Sequence, residues 1–211
     1  MNLNNYYYFF REALTPRFCD EIIKYGKSQQ EQLALTGGQT EKVNKGKPLE
    51  EKDILDLKKK RDSNIVWLSD SWIYKELHPY VHQANRLAGW NFEWSFSEAC
   101  QFTKYGLKQH YGFHCDSWNA PYDNPANPDT HGKIRKLSMT CSLSDPSEYE
   151  GGQLQFQFRN EDDPTTTRNC IEILPRGSIC VFPSHVWHQV TPVTKGTRYS
   201  LVVWSLGYPF R

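Results

Sequence analysis

Apolar residues follow helical spacing in the first part of the chain and strand-like alternation in the second, with the change near Trp94. Thr15-Pro16 offers a cap and a first-turn proline, and Phe18, Ile22, Ile23 and Tyr25 make one apolar stripe. Together they predict a helix from about Pro16 to Leu33. A second helix is predicted from Ser71 to a glycine stop at Gly89, with Pro79 marking a kink or the first turn of a new helix. Between the two, positions 36–63 are dense in charge and turn formers and poor in apolar periodicity, which predicts a loop with at most a short helix. The basic run Lys58-Lys-Lys-Arg61 within it reads as a solvated face. Beyond Trp94 come short alternating or compact apolar runs, among them Gln153 to Phe158, Cys170 to Leu174 and Ser178 to Phe182. Such runs, bounded by Gly, Pro, Asn and Asp, are half-buried strands of a sheet sandwich or barrel. Ser117 to Lys133 carries Pro121, Pro125 and Pro128 and no periodicity, so it is expected to form a mobile rim or lid.

This pattern predicts an N-terminal helical support region with a charged loop over residues 1–93 and a β core over 94–211, making one compact unit. A chain of 211 residues with 38% hydrophobic and 14% aromatic content has enough apolar side chains for a sizeable core. Its 25 basic and 24 acidic residues leave a net charge of +1, which argues against a partner held by neutralising phosphates, so no nucleic acid is expected. No apolar stretch approaches the roughly 18 residues of a membrane span, and the first residues lack a charged region and a cleavage site. A cytoplasmic location without a membrane partner is therefore expected. The six cysteines lack paired metal spacing and read as free thiols of a reducing compartment. Oligomeric state leaves no mark in the sequence.

The segment His110-Tyr-Gly-Phe-His114-Cys-Asp116 changes the picture from architecture to chemistry. On an extended strand His114 and Asp116 leave the same face, and His188, at the start of the run Gln189-Val-Thr-Pro-Val, can complete a set of two imidazoles and one carboxylate. Ferrous iron takes this facial triad when positions must stay open for a chelating cosubstrate and dioxygen. Arg198 opens the alternating run Arg198-Tyr-Ser-Leu-Val-Val-Trp204, so Arg198 and Ser200 share a face. A guanidinium fork beside a hydroxyl suits the far carboxylate of a small dicarboxylic acid, which points to 2-oxoglutarate. Other histidine sets remain open at this point. His110 and His114 are spaced like helical zinc ligands and His185 precedes His188 by one turn, so a four-histidine zinc site is a formal rival, though Gly106 and Gly112 weaken the helix it needs. Cys115 lies between two proposed ligands but should point to the opposite sheet face. His78, His82 and His131 read as ordinary surface or core residues.

Four stretches in order carry a family resemblance: Tyr105-Gly-Leu-Lys-Gln-His-Tyr-Gly-Phe-His-Cys-Asp116, Leu137-Ser-Met-Thr-Cys-Ser-Leu-Ser-Asp-Pro146, Tyr149-Glu-Gly-Gly-Gln-Leu154 and Val186-Trp-His-Gln-Val-Thr-Pro-Val-Thr-Lys-Gly-Thr-Arg198. By these the chain resembles Fe(II)- and 2-oxoglutarate-dependent dioxygenases of the prolyl 4-hydroxylase-like superfamily, nearest its PKHD-type branch. The resemblance covers much of residues 97–207. It implies a mainly β fold with N-terminal helices, built on a double-stranded β-helix or jelly-roll core. It implies His114, Asp116 and His188 as catalytic iron ligands, and Arg198, with Ser200 beside it, as the 2-oxoglutarate anchor. Tyr105 matches a tyrosine that lines the cosubstrate pocket in relatives. The implied cofactors are Fe(2+), 2-oxoglutarate and O2, with ascorbate as a reductant, and the implied reaction hydroxylates a C–H bond and releases succinate and CO2.

Three other readings are weighed against it. A cupin would show a His-x-His pair with a following glutamate, whereas this chain has His-x-Asp. Nucleic-acid demethylases of the same chemistry carry a second arginine six residues after the anchor, where this chain has Trp204. A non-catalytic jelly-roll module would be marked by a lost triad residue, and all three are present. Relatives suggest a protein or peptide substrate, with a peptidyl proline as the expected target. Trp118 and Tyr122, close after the ligand pair, are candidate substrate-binding rings. Collagen-type prolyl 4-hydroxylases commonly use lysine where Arg198 stands, which places the match nearer the oxygen-sensing and PKHD-type enzymes.

Overall fold

The cap expected at Thr15 is present: its hydroxyl accepts a hydrogen bond from the Phe18 backbone N–H at 3.1 Å, and Pro16 opens helix α1 (Pro16–Ser28). The helix stops short of Leu33 because Gln29-Gln-Glu31 adds nothing to its apolar stripe, while Gln32 and Leu33 pair with Ile65 and Asn64 as sheet. In the computed structural model, which describes residues 2–117, 120–158 and 166–210, three further helices follow: α2 (Gly37–Asn44), α3 (Glu51–Lys60) and α4 (Ser71–Leu87).

The loop expected over 36–63 is thus mostly helical. Asp53 explains part of this, because its carboxylate accepts the Glu50 backbone N–H at 2.8 Å at the start of α3 and also pairs with Lys42 of α2. Lys58, Lys59 and Lys60 close α3 where its dipole favours cations, and Leu57 is fully buried beneath it. Pro79 does not divide α4 either. A proline inside a helix costs about 3 kcal/mol, but Ile73, Leu77, Val81 and Ala84 bury one continuous face and outweigh it.

The strands before Trp94 are β1 (Tyr8–Phe10), β2 (Gln32–Leu33), β3 (Arg61–Asp62) and β4 (Asn64–Leu68). After it come β5 (Phe96–Ser97), β6 (Cys100–Tyr105), β7 (His110–His114), β8 (Ile134–Ser142), β9 (Tyr149–Gly151) and β10 (Leu154–Gln157). The last five are β11 (Thr167–Asn169), β12 (Ile179–Pro183), β13 (His188–Val190), β14 (Val193–Gly196) and β15 (Arg198–Gly207). Pairing is antiparallel throughout. The larger sheet runs β1-β12-β8-β15-β6-β4-β2 with β5 added to β15, and the smaller runs β11-β10-β13-β7-β3. The chain crosses between these sheets from β6 to β7, from β7 to β8 and from β12 to β13, as in the winding of a double-stranded β-helix, while β9 pairs with β14 apart from both. The strand expected at Cys170 to Leu174 is instead a 3₁₀ turn over Ile171–Ile173. Cys170 and Ile173 are buried while Ile171 is exposed, a spacing of three that only a tight helical turn can serve.

Parity along β15 divides its two jobs. Leu201 and Val203 face outward, where they join Phe102, Leu137, Met139, Cys19 and Ile22 in the core between the larger sheet and helices α1 and α4. Arg198, Ser200, Val202 and Trp204 face inward and line a cavity between the sheets. Among the described residues no helix is long and apolar enough to cross a membrane.

Candidate active site

His114 ends β7 and pairs in register with His188, the first residue of β13, so sheet pairing alone sets the two imidazoles side by side. Asp116 is not on the strand. The chain bends after His114, and the backbone N–H groups of Asp116 and Ser117 both donate to the Ser184 carbonyl, at 2.8 and 2.9 Å. This contact with the end of β12, rather than strand parity, brings the carboxylate back to the histidines. Candidate ligand atoms of His114, Asp116 and His188 all lie within 4.8 Å of one another, and each imidazole Nε2 is 3.6 Å from an Asp116 oxygen. The rival histidines are not part of the cluster: His110 faces the carbonyls of Lys108 and Lys59 at 3.3 and 3.4 Å, and the His185 ring neighbours Phe210. Cys115 points away from the cluster, with its thiol 3.5 Å from the Ser117 carbonyl.

Both imidazoles are oriented in the same way. His114 Nδ1 meets the Gly112 carbonyl at 2.8 Å and His188 Nδ1 meets the Val186 carbonyl at 2.9 Å, so Nδ1 carries the proton and Nε2 presents a lone pair to the cluster. Burial and the neighbouring His114 push the His188 pKa down to about 4, which keeps the ring neutral. Burial disfavours the Asp116 carboxylate, yet His188 and His114 outweigh it and hold the group well below the ordinary carboxylate range. Ser138 adds a hydrogen bond to Asp116 at 2.7 Å, and Ser184 backs Ser138 at 2.9 Å. A neutral His188 ring and an ionised Asp116 carboxylate are protonation states that a divalent metal requires.

Arg198 stands on the same cavity wall, only 3% exposed. Its Nη1 is 3.4 Å from the Ser200 hydroxyl, and its guanidinium lies 5.6 Å from the ring centroid of Tyr105, its register partner on β6. No carboxylate pairs with it among the described residues. A buried guanidinium without an anion is costly, so this one marks a place for an anionic ligand.

Several neighbours of the cavity escaped the sequence reading. Arg61, expected on a solvated face, is 5% exposed: its guanidinium lies 4.4 Å from the Tyr111 ring, and Tyr111 stacks on His114 at 3.5 Å. Pairing of β3 with β7 turns it inward. One nitrogen of Arg61, Nη2, and the indole N–H of Trp204 are buried without an acceptor among the described residues. Arg135 pairs with Glu98 and lies 3.9 Å from the Trp204 ring. Tyr122 does not line the cavity; its hydroxyl donates to Glu98 at 2.7 Å, which ties the segment to the barrel through the Glu98–Arg135 pair. Trp118 lies outside the described residues.

The family model described as "2OG-Fe(II) oxygenase superfamily" matches residues 100–206, half of the chain and every residue that lines the cavity. The chain belongs to this superfamily. Among curated relatives of this 2OG-Fe(II) oxygenase, a PKHD-type hydroxylase of Synechococcus sp. (strain CC9605) is 39% identical over 98 residues, covering 46% of this chain and 37% of that one. The chain spans about two fifths of the length of the curated relatives it matches. Solved structures share the fold. A viral collagen prolyl hydroxylase from Paramecium Bursaria Chlorella virus-1, in its 2OG complex, superposes with TM-score 0.61 at 16% identity and covers 96% of each chain. A prolyl hydroxylase from Trichoplax adhaerens, in complex with a hypoxia inducible factor peptide fragment, gives 0.60 at 15% identity over 96% of this chain and 84% of that one. Membership implies Fe(II), 2-oxoglutarate and O2, and the donor set fits them: the triad suits ferrous iron and the anion-free Arg198 suits a dicarboxylate.

Proposed function

We propose that this superfamily member is an Fe(II)- and 2-oxoglutarate-dependent dioxygenase that hydroxylates a C–H bond of a peptide, with proline as the modified residue. The observation that carries the reading is the sharing of one cavity by a three-residue metal cluster and a buried arginine without a counter-ion. His114, Asp116 and His188 are the iron ligands in this reading, and Arg198, Ser200 and Tyr105 hold the far carboxylate of 2-oxoglutarate. Bound there, iron and 2-oxoglutarate supply oxidation of the substrate by O2, with one oxygen atom going to the C–H bond and the other to succinate as CO2 is lost.

The protein's own share is placement. The carbonyls of Gly112 and Val186 orient the two imidazoles, Ser138 orients the carboxylate, and Leu154, Phe182 and Val190 exclude water from the cavity. Leu154, Phe182 and Val202 give the cavity an apolar wall that suits a prolyl ring. All six cysteines are free, which supports a reducing, cytoplasmic setting. The iron-loaded protein, given 2-oxoglutarate and a library of proline-containing peptides, is expected to add one oxygen atom to a subset and to form equimolar succinate. Stimulation of succinate release by methylated DNA or RNA, and by no peptide, would overturn the peptide reading.

Gly152 supplies a second prediction, about the anchor. It has φ +58°, and a Cβ there would stand 3.0 Å from Arg198 Cδ and 2.9 Å from Val193 Cγ2. Gly152→Ala is expected to push Arg198 aside and raise the 2-oxoglutarate KM about tenfold or more, the scale of a lost charge-assisted hydrogen bond. An unchanged KM in a folded Gly152→Ala protein would show that the arginine stem does not need this space.

A further inference from the structure

Beside the iron site lies a cleft of 780 Å³ that the proposed reaction leaves unused, walled by Trp90, Phe92, Trp94, Tyr208 and Phe210 together with Lys136 and Glu93. Lys136 is the unexpected member. It is 4% exposed, yet its ammonium has no hydrogen bond or ion pair among the described residues, and Glu93 on the same wall does not pair with it. Its nearest compensation is the face of Phe210, 3.5 Å from Nζ to the ring centroid. Burial pushes the Lys136 pKa down and Glu93 restores only part of the shift, as expected for a cation without its anion.

Sheet register accounts for the placement. Leu137 of β8 pairs with Ser205 of β15 and Arg135 pairs with Leu206, so Lys136 is an extra residue with no partner on β15. A bulge of this kind re-aims a side chain, here into the cleft closed by the tail residues Tyr208 to Phe210. The same bulge joins the cleft to the iron site. The Lys136 carbonyl accepts the Ser184 N–H at 3.0 Å, and the Ser184 carbonyl accepts the Asp116 N–H. Along β8, Lys136 precedes Ser138, the partner of Asp116, by two residues, or about 7 Å of strand.

We infer that this cleft receives an acidic side chain of the substrate peptide, on the segment adjoining the residue that is hydroxylated. This rests on the peptide reading above. One carboxylate matches one ammonium, whereas a phosphate dianion would face Glu93 and a ring-lined wall with a single cation to hold it. The rings pack against the apolar stem and neighbours of the acidic residue. An extended peptide advances at most about 3.3–3.6 Å per residue, so spanning the roughly 7 Å of strand between Lys136 and Ser138 puts the acidic position at least about two residues from the target.

The test uses the full chain loaded with Fe(II) and 2-oxoglutarate without oxygen, with tryptophan fluorescence reporting from Trp90 and Trp94. The probes are capped alanine peptides containing one Pro and one Glu, at separations of two to five residues on either side, each with a Gln twin. At the favoured separation the Glu peptide is expected to bind at least about tenfold more tightly than its twin. Lys136→Met should erase that preference and Lys136→Arg should retain most of it. Lys136→Met removes a buried unpaired charge and keeps the apolar stem, so it is expected to fold. Equal binding of all twins by the parent, or an intact preference in Lys136→Met, overturns the inference. Phenylacetate, a ring and a carboxylate without a peptide, separates this inference from the reading beneath it. Lys136-dependent binding of phenylacetate with no peptide bound would overturn the peptide reading and keep the carboxylate subsite. No Lys136-dependent response to either probe would overturn the subsite.

Discussion

Asp116→Ala is expected to release no succinate from 2-oxoglutarate above background while remaining folded. Asp116 is the only carboxylate in the cluster, and its two oxygens each stand 3.6 Å from an imidazole Nε2, so its loss leaves two imidazole nitrogens and no negative charge to hold a divalent cation. The fold should survive because the change removes a buried charge rather than creating one. Ser138 and Ser184 keep each other as partners at 2.9 Å, and the bend is held by backbone bonds to the Ser184 carbonyl that alanine retains. Measurement of 2-oxoglutarate turnover, bound iron and the thermal unfolding midpoint on the same preparation separates loss of metal from loss of structure. Succinate formation at the parent rate would remove Asp116 from the ligand set.

The three residues of that cluster were legible in the sequence because each is a chemical type rare at such spacing, and sheet pairing brings them together. The route was not legible. His-x-Asp suggested one strand face, whereas the strand ends at His114 and a backbone contact to Ser184, far along the chain, turns Asp116 back. Arg61 was hidden for a related reason: a run of four cations does not show which one turns inward, and the pairing of β3 with β7 decides it. The helices over 37–60 depend on the Asp53 carboxylate, which accepts the N–H of the cap residue Glu50, and on tertiary burial of Leu57, neither of which produces apolar periodicity. Cys170 to Leu174 was too short to separate alternation from a spacing of three. Tyr122 is close in sequence to the ligand pair, but its hydroxyl donates to Glu98 and it is not among the residues that line the cavity. By contrast, the alternation of β15 was readable in full, because one strand buried on both faces must sort apolar from polar side chains by parity.

That parity makes the second large effect predictable. Arg198→Ala is expected to raise the 2-oxoglutarate requirement by roughly 30-fold to several thousand-fold, since truncating one side of a buried charged pair costs about 2 to 5 kcal/mol. The upper part of the range applies if the far carboxylate is left in the cavity with only the Ser200 hydroxyl near it, because Arg198 is 3% exposed and water has little access. Without cosubstrate the sign reverses. The parent holds a buried guanidinium with no counter-ion, so Arg198→Ala should unfold at the same temperature as the parent or higher when 2-oxoglutarate is absent, and should gain less from its addition. Lys is the informative second replacement: it restores a charge but not a planar fork, so Arg198→Lys should recover part of the affinity and none of the bidentate geometry. Thermal shift against 2-oxoglutarate concentration reads binding without any need for substrate, and turnover gives KM independently. Parent-like KM and parent-like stabilisation in Arg198→Ala would place the far carboxylate elsewhere in the cavity.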